Sequence, residues 1–199
     1  MKLLVVSQRI HEFSEIGERR DSLDQRFTSF FRACGYVIAP VPNFLSENSV
    51  DGILTEFLGR LSPDGVVISG GDDIGVHVDR DLTEFELLTY AKKNSLPVLG
   101  ICRGMQILGV YEGAKLIPAE SHVGVRHKLY GVFQDEVNSY HNYALAECPA
   151  EYSLLAHSLD GTVEAIMNKK KNWHGWMWHP EREREFRESD IKRIRNIFQ

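Results

Sequence analysis

The stretch Pro97-Val98-Leu99-Gly100-Ile101-Cys102-Arg103-Gly104-Met105-Gln106-Ile107-Leu108-Gly109-Val110-Tyr111 decides the fold. Its first part, 97–101, is a short and almost wholly apolar run, as expected of a strand buried on both faces of a parallel sheet. Its second part, 103–111, places Met105, Ile107, Leu108 and Val110 where a helix can bury them. Only Cys102 lies between the two. A buried strand that passes directly into a helix is half of a βαβ unit, so the rest of the chain is searched for the same alternation.

Upstream, Leu3 to Val6 and Gly65 to Ser69 are further continuous apolar runs. Tyr36 to Ala39 is a shorter one, closed by Pro40 and Pro42. Between them, Leu23, Phe27, Phe30, Phe31 and Cys34 recur at helical spacing, with Gly35 where a helix end favours a left-handed residue. Val50 to Leu61 and Leu82 to Ala91 read as two more helices, and Ser7 to Asp21 reads as a polar loop. Beyond Tyr111 the runs Ala114 to Ile117, Gly131 to Val137, Ser153 to Ala156, Val163 to Met167 and Gly175 to Trp178 predict shorter, partly antiparallel strands. Glu183 to Phe198 predicts a mixed-charge helix with Phe186, Ile191, Ile194 and Ile197 on one stripe. The expected fold is α/β: a doubly wound, mostly parallel, flavodoxin-like sheet with helices on both faces and a small antiparallel strand addition. With no internal repeat or linker, residues 1–199 are expected to form one domain.

The formal net charge of -5 argues against a general nucleic-acid binder. Three cysteines, Cys34, Cys102 and Cys148, make a poor disulfide framework, and no C-x-x-C pair suggests a zinc site. No apolar stretch reaches membrane-spanning length, and the N-terminal run is too short for a signal segment. These readings together give a cytoplasmic expectation.

Gly100-Ile101-Cys102-Arg103-Gly104 is a G-x-C-x-G turn, the cysteine form of a nucleophile elbow. Glycines on either side make room for neighbouring backbone. The turn pushes the side chain out above the sheet edge, and the helix start behind it favours a thiolate. The Arg103 N–H then points to where an oxyanion would form. A base is needed. His179, in Trp178-His179-Pro180-Glu181, follows the apolar run Trp176-Met177-Trp178 and is placed to emerge at a strand end, where ligands gather in open α/β sheets. Glu181 can turn back to hold its imidazole. Cys34 and Cys148 have no such setting and read as packing residues.

With these residues in view, the chain resembles the class I glutamine amidotransferase superfamily, in particular its γ-glutamyl hydrolase branch. Four blocks carry the resemblance: Ser69-Gly70-Gly71-Asp72-Asp73-Ile74, Gly100 to Gln106, Val137-Asn138-Ser139-Tyr140-His141, and Trp178-His179-Pro180-Glu181. It implies Cys102 as nucleophile, His179 as base and Glu181 as its orienter, with the N–H groups of Gly71 and Arg103 as oxyanion hole. Gln106 would contact the glutamyl part, and Asn138, Ser139, Tyr140 and His141 the amino acid end of the substrate. It implies hydrolysis of a γ-glutamyl amide through a thioester, with no cofactor and no metal. The partner is a small-molecule γ-glutamyl substrate, with no nucleic acid, no membrane and no obligate synthetase. Within the branch the resemblance implies a nucleotide-linked leaving group, of the kind used to modify capsule polysaccharide. Delivery of ammonia to a separate synthetase is one alternative, and γ-glutamyl amines a second. A diphosphate leaving group would need cations near the thiol, and Arg9, Arg103, Arg126, His127 and Lys128 are the candidates.

Overall fold

The computed structural model describes residues 1–43 and 52–199. Fourteen strands occur among them: β1 (Leu3–Ser7), β2 (Arg9–Phe13), β3 (Glu18–Ser22), β4 (Val37–Val41), β5 (Gly65–Ile68), β6 (Val98–Ile101), β7 (Leu116–Pro118), β8 (Val123–Lys128), β9 (Tyr130–Gly131), β10 (Glu136–Tyr140), β11 (Tyr143–Leu145), β12 (Ser153–His157), β13 (Val163–Asn168) and β14 (Trp173–Trp176). The helices are α1 (Gln25–Cys34), α2 (Ile53–Leu61), α3 (Val78–Lys93), α4 (Arg103–Tyr111) and α5 (Glu188–Ile197).

Eight strands form one sheet in the order β4-β1-β5-β6-β14-β13-β12-β9. The first five run parallel, and β13, β12 and β9 follow, each antiparallel to the strand before it. Alternation along β1 divides the core. Leu4 and Val6 face α1 and α5, meeting Phe30, Phe31, Ile194 and Ile197. Val5 faces the other way, onto Leu54 and Leu58 of α2, Leu87 and Leu88 of α3, and Met105 and Leu108 of α4. Helices thus cover both faces of a doubly wound sheet, and the carboxyl ends of β1, β5, β6 and β14 converge on one edge. No helix among the described residues is long and apolar enough to cross a membrane.

Several boundaries differ from the sequence reading. Residues 7–21 carry a β-hairpin, β2 paired with β3, rather than a plain loop. Its residues are mostly exposed and charged, so no apolar period marks it. The 131–137 run splits between β9 and β10, because Val132 and Phe133 turn their N–H groups onto the Leu155 carbonyl. β8 and β11 carry too few buried residues to register as apolar runs. The third helix starts earlier, at Val78, and the last starts later, at Glu188. β14 spans Trp173–Trp176, leaving Trp178 beyond the strand. Positions 50 and 51 of the second expected helix lie outside the described residues.

The strand-to-helix turn is compressed. A Cβ on Gly100 would lie 2.4 Å from the Gly104 carbonyl oxygen, and one on Gly104 would lie 2.1 Å from that of Ile68. Both obstacles are backbone and cannot swing aside. Gly104→Ala is therefore expected to lower unfolding stability by about 1–3 kcal/mol, the usual cost of overpacking. Urea titration measures this, and an unchanged midpoint would contradict the close approach.

Candidate active site

Cys102 closes β6 and opens α4 with φ 54° and ψ −111°, a left-handed conformation unusual for a side chain with a Cβ. Its N–H is held by the Trp176 carbonyl at 2.7 Å, so the turn is pinned to the neighbouring parallel strand β14. The same strand leads to His179. Past Trp176 the chain runs through Met177 and Trp178, whose ring stacks on Trp176 with centroids 5.1 Å apart. His179 then caps a short 3-10 turn, Pro180–Arg182.

That turn folds Glu181 back onto the imidazole, with Glu181 Oε1 2.7 Å from His179 Nδ1. The other edge of the ring, at Nε2, faces Cys102 across Gly70. A Cβ on Gly70 would sit 2.7 Å from His179 Cε1 and 3.5 Å from Cys102 Cβ, so a glycine is what lets the two side chains meet. Burial opposes charge on His179, but the Glu181 carboxylate and the Cys102 sulfur outweigh it and raise the imidazole to about 9. Burial pushes the Cys34 thiol up to about 12 and raises that of Cys148. The site therefore holds an acidic group, a thiol and a ring in one line.

The remaining residues divide into those that reach the cleft and those that support it. An open cavity of about 400 Å³ lies over Cys102 and His179, lined also by Arg9, Gly71, Asp72, Tyr140 and Arg182. Arg9 bonds Asp72 at 3.0 Å. Arg182 lies over the Tyr140 ring at 5.0 Å. Gly71, at φ 143°, brings its backbone to the cavity wall in a conformation that favours glycine.

Asn138 lies behind His179, accepting from its N–H at 2.9 Å and donating to its carbonyl at 2.8 Å. Gln106 donates to the Tyr143 carbonyl at 2.8 Å, and Ser139 donates to the His122 carbonyl at 2.6 Å. His141 is buried with its Nδ1 against the Tyr143 carbonyl. These four side chains spend themselves within the protein. Of the residues expected to contact substrate, Arg9 and Tyr140 are the ones on the cavity wall.

The Arg103 side chain is turned away from the cleft. Its guanidinium is buried against Glu84 and Asp81. Arg80 joins them, donating to Glu84 at 3.0 Å and to the carbonyls of Ser69 and Gly70 at 3.0 and 2.9 Å. Burial disfavours the Glu84 charge, yet the two guanidiniums hold its carboxyl below the ordinary range. Arg103 is thus unavailable to a leaving group. Arg126 faces Glu136 and Glu183, and Lys128 lies over the Tyr130 ring. His127 points toward Glu164. Sequence reasoning passed over Arg182 and Asn142, which both line the cavity. The position of Arg182 in the turn that returns Glu181 was the available clue.

The glutamine amidotransferase class-I family matches residues 20–197. The chain belongs to that family. Its members are amide hydrolases that use a cysteine nucleophile. A γ-glutamyl-CDP-amidate hydrolase from Campylobacter jejuni is 33% identical over 124 residues, covering 59% of this chain and 62% of that relative. A glutamine-hydrolysing GMP synthase from Streptococcus pyogenes is 33% identical over 154 residues, covering 69% of this chain and 28% of the synthase. This chain therefore spans less than two thirds of the length of either. In fold, a Thermoplasma acidophilum protein of the GMP synthase type superposes with a TM-score of 0.73 at 21% identity, over 100% of this chain and 92% of that one.

Two outcomes follow from the geometry. Iodoacetamide is expected to alkylate Cys102 ahead of Cys34 and Cys148, whose thiols burial holds protonated; peptide mapping that finds Cys34 modified first would contradict this. The raised imidazole also links stability to pH. Its ordinary value is 6.5 and its folded value about 9, so its contribution is full below pH 6.5 and lost as pH rises through about 9. The stability difference between the native chain and His179→Gln should shrink over that window, and a difference that grew with pH would oppose the assignment.

Proposed function

We propose that this chain hydrolyses γ-glutamyl amides, with Cys102 as nucleophile, His179 as general base and acid, and Glu181 as the group that orients the imidazole. The observation that carries the reading is the juxtaposition of a thiol at a left-handed strand-to-helix turn with an imidazole whose far nitrogen is 2.7 Å from a buried carboxylate. Cys102 Sγ attacks the γ-carbonyl carbon, and His179 Nε2 takes the thiol proton. The oxyanion is met by the N–H groups of Gly71 and Arg103. Collapse breaks the C–N bond, the imidazolium protonates the leaving nitrogen, and a γ-glutamyl thioester remains. Water, deprotonated by the same imidazole, then releases glutamate.

For the leaving group, the proposal is a nucleoside diphosphoramidate, with γ-glutamyl-CDP-amidate yielding glutamate and cytidine diphosphoramidate. Supporting it are the name of the Campylobacter relative and two guanidiniums, Arg9 and Arg182, on the wall of an open cavity. Arginine suits phosphate oxygens because its donors form a planar fork. Under this reading the chain acts alone, as one domain, in the cytoplasm, and serves capsule polysaccharide modification. A second reading, a glutaminase that passes ammonia to a synthetase, is favoured by the GMP synthase relative.

The test incubates the purified chain alone with glutamine, γ-glutamyl amines and γ-glutamyl-CDP-amidate. Turnover of the last well above the others is expected; glutaminase activity that emerges only with an added synthetase would support the second reading instead. Cys102→Ala should abolish glutamate release with the fold retained by circular dichroism. His179→Ala should cost about 10²–10⁴ in kcat, and Glu181→Gln less. Near-normal turnover by Cys102→Ala would overturn the mechanism.

A further inference from the structure

Away from the cleft, four side chains from distant parts of the chain, three of them buried, converge on one point. His122 precedes β8, His127 lies on β8, His141 follows β10, and Glu164 lies on β13. Glu164 Oε1 is 3.4 Å from His122 Nδ1, 3.3 Å from His127 Nε2 and 3.5 Å from His141 Nε2. None of these four atoms has a hydrogen-bond partner among the described residues. Buried polar atoms are rarely left so.

The outer ring nitrogens explain what the inner ones offer. His122 Nε2 lies 2.9 Å from Asp160 Oδ2, and His141 Nδ1 lies 3.1 Å from the Tyr143 carbonyl oxygen. In a neutral imidazole that outer contact takes the N–H, because both partners only accept. The inner nitrogens of His122 and His141 then present lone pairs to a carboxylate oxygen. Such an arrangement is repulsive until a cation, a proton or a metal ion, stands among them. Asp160 is itself held, by Ser158 Oγ at 2.5 Å and the Thr162 N–H at 3.1 Å. A carboxylate or carbonyl on the outer nitrogen is the usual support of a metal-bound histidine.

The geometry points to a metal site: His122, His127 and Glu164, whose ligand atoms all lie within 4.8 Å of one another, bind one divalent transition-metal ion of the zinc type, with His141 beside Glu164. Two imidazoles and a carboxylate are donors that suit Zn²⁺, with solvent in the fourth position. Tetrahedral bonds of about 2.0–2.1 Å give ligand-to-ligand edges of about 3.3–3.4 Å, close to the spacings around Glu164. Glu164 and Asp160 together balance the charge of a divalent cation. A cavity of about 410 Å³, lined by His122 and His127, gives entry from solvent. The site ties β8 to β13 of the main sheet. Its role is structural: it steadies the strand that carries Asn138 and Tyr140, and the backbone of Glu164, which accepts from Met177 two residues before His179.

The sequence reading expected no metal, on the absence of a C-x-x-C pair and a mechanism that needs none; the spacing of His122 and His127, with four residues between them, was the available signal. The test strips the purified full chain with chelator and titrates it with Zn²⁺ alone, counting bound metal by mass spectrometry. One Zn²⁺ per chain is expected, with a rise in the thermal midpoint, and Co²⁺ in its place should show the strong visible absorption of tetrahedral coordination. Asp160→Asn, a half-exposed side chain whose change spares the core, should weaken binding by about ten- to hundredfold. His127→Ala should weaken it at least tenfold, and Cys102→Ala should leave it unchanged. Absence of stoichiometric binding would overturn the proposal. So would binding that both His127→Ala and Asp160→Asn leave intact, or that Cys102→Ala abolishes.

Discussion

The contact on which the site depends is between two pieces of backbone: Gly104 at the start of α4 against the Ile68 carbonyl at the end of β5. No side-chain atom can occupy that gap, since an added Cβ would stand 2.1 Å from the oxygen. The approach draws the first turn of α4 down onto the sheet. Cys102 is then left between a strand end and a helix start with a left-handed backbone, and its side chain is driven out over the carboxyl edge. Left-handed conformations at non-glycine residues persist where the surroundings over-determine them. Here the surroundings are identifiable: the bond from Cys102 N–H to Trp176, and the glycines at positions 100 and 104.

Beneath this turn lies a buried group of charges that sequence patterns give little reason to expect. Arg80 and Arg103 are balanced by Glu84 and Asp81, two positive against two negative. Ser7 adds a bond to Glu84 at 2.8 Å and accepts from the Ser69 N–H at 2.9 Å. The cluster joins the ends of β1, β5 and β6 through α3. Charges so buried cost desolvation, and removing one partner from such a pair typically costs about 3–5 kcal/mol. What the arrangement provides is position. Arg80 holds the Ser69 and Gly70 carbonyls, so the following peptide presents Gly71 to the cleft. Its Nη1 also lies where a Cβ on Gly71 would fall, at 2.4 Å. Arg103, the residue after Cys102, thus anchors the turn through its side chain.

The parallel half of the fold was legible because burial on both faces leaves an unbroken apolar run, and each such run is followed by a helix with one apolar stripe. Cys102, His179 and Glu181 were legible because local sequence makes them: a glycine-flanked turn and a proline-stiffened one. The antiparallel part was harder to read. β2, β3 and β8 are largely exposed and charged, and their pairing depends on partners distant in sequence. The substrate contacts suffered from the same cause. Asn138 and Ser139 sit beside Tyr140 in the chain, but Tyr140 alone of the three meets the cleft, while its neighbours turn inward. Contiguity in a motif does not fix which way each side chain faces.

That inward turn gives the antiparallel lobe its own part in the site. Asn138 bonds both the N–H and the carbonyl of His179, so it holds that backbone as a paired strand would. Ser139 fixes the carbonyl of His122, and His141 reaches Glu164. The four residues 138–141, at the end of β10 and just past it, therefore carry a backbone clamp, a cavity wall and a link to the main sheet. The imidazole at 179 is defined from two directions: Glu181 aligns its ring within the turn, and Asn138 places the turn itself from across the lobe. An imidazole held only by Glu181 could move as a unit with its own loop. The second anchor removes that freedom, and the proton transfer proposed above, which is sensitive to distance, would need it removed.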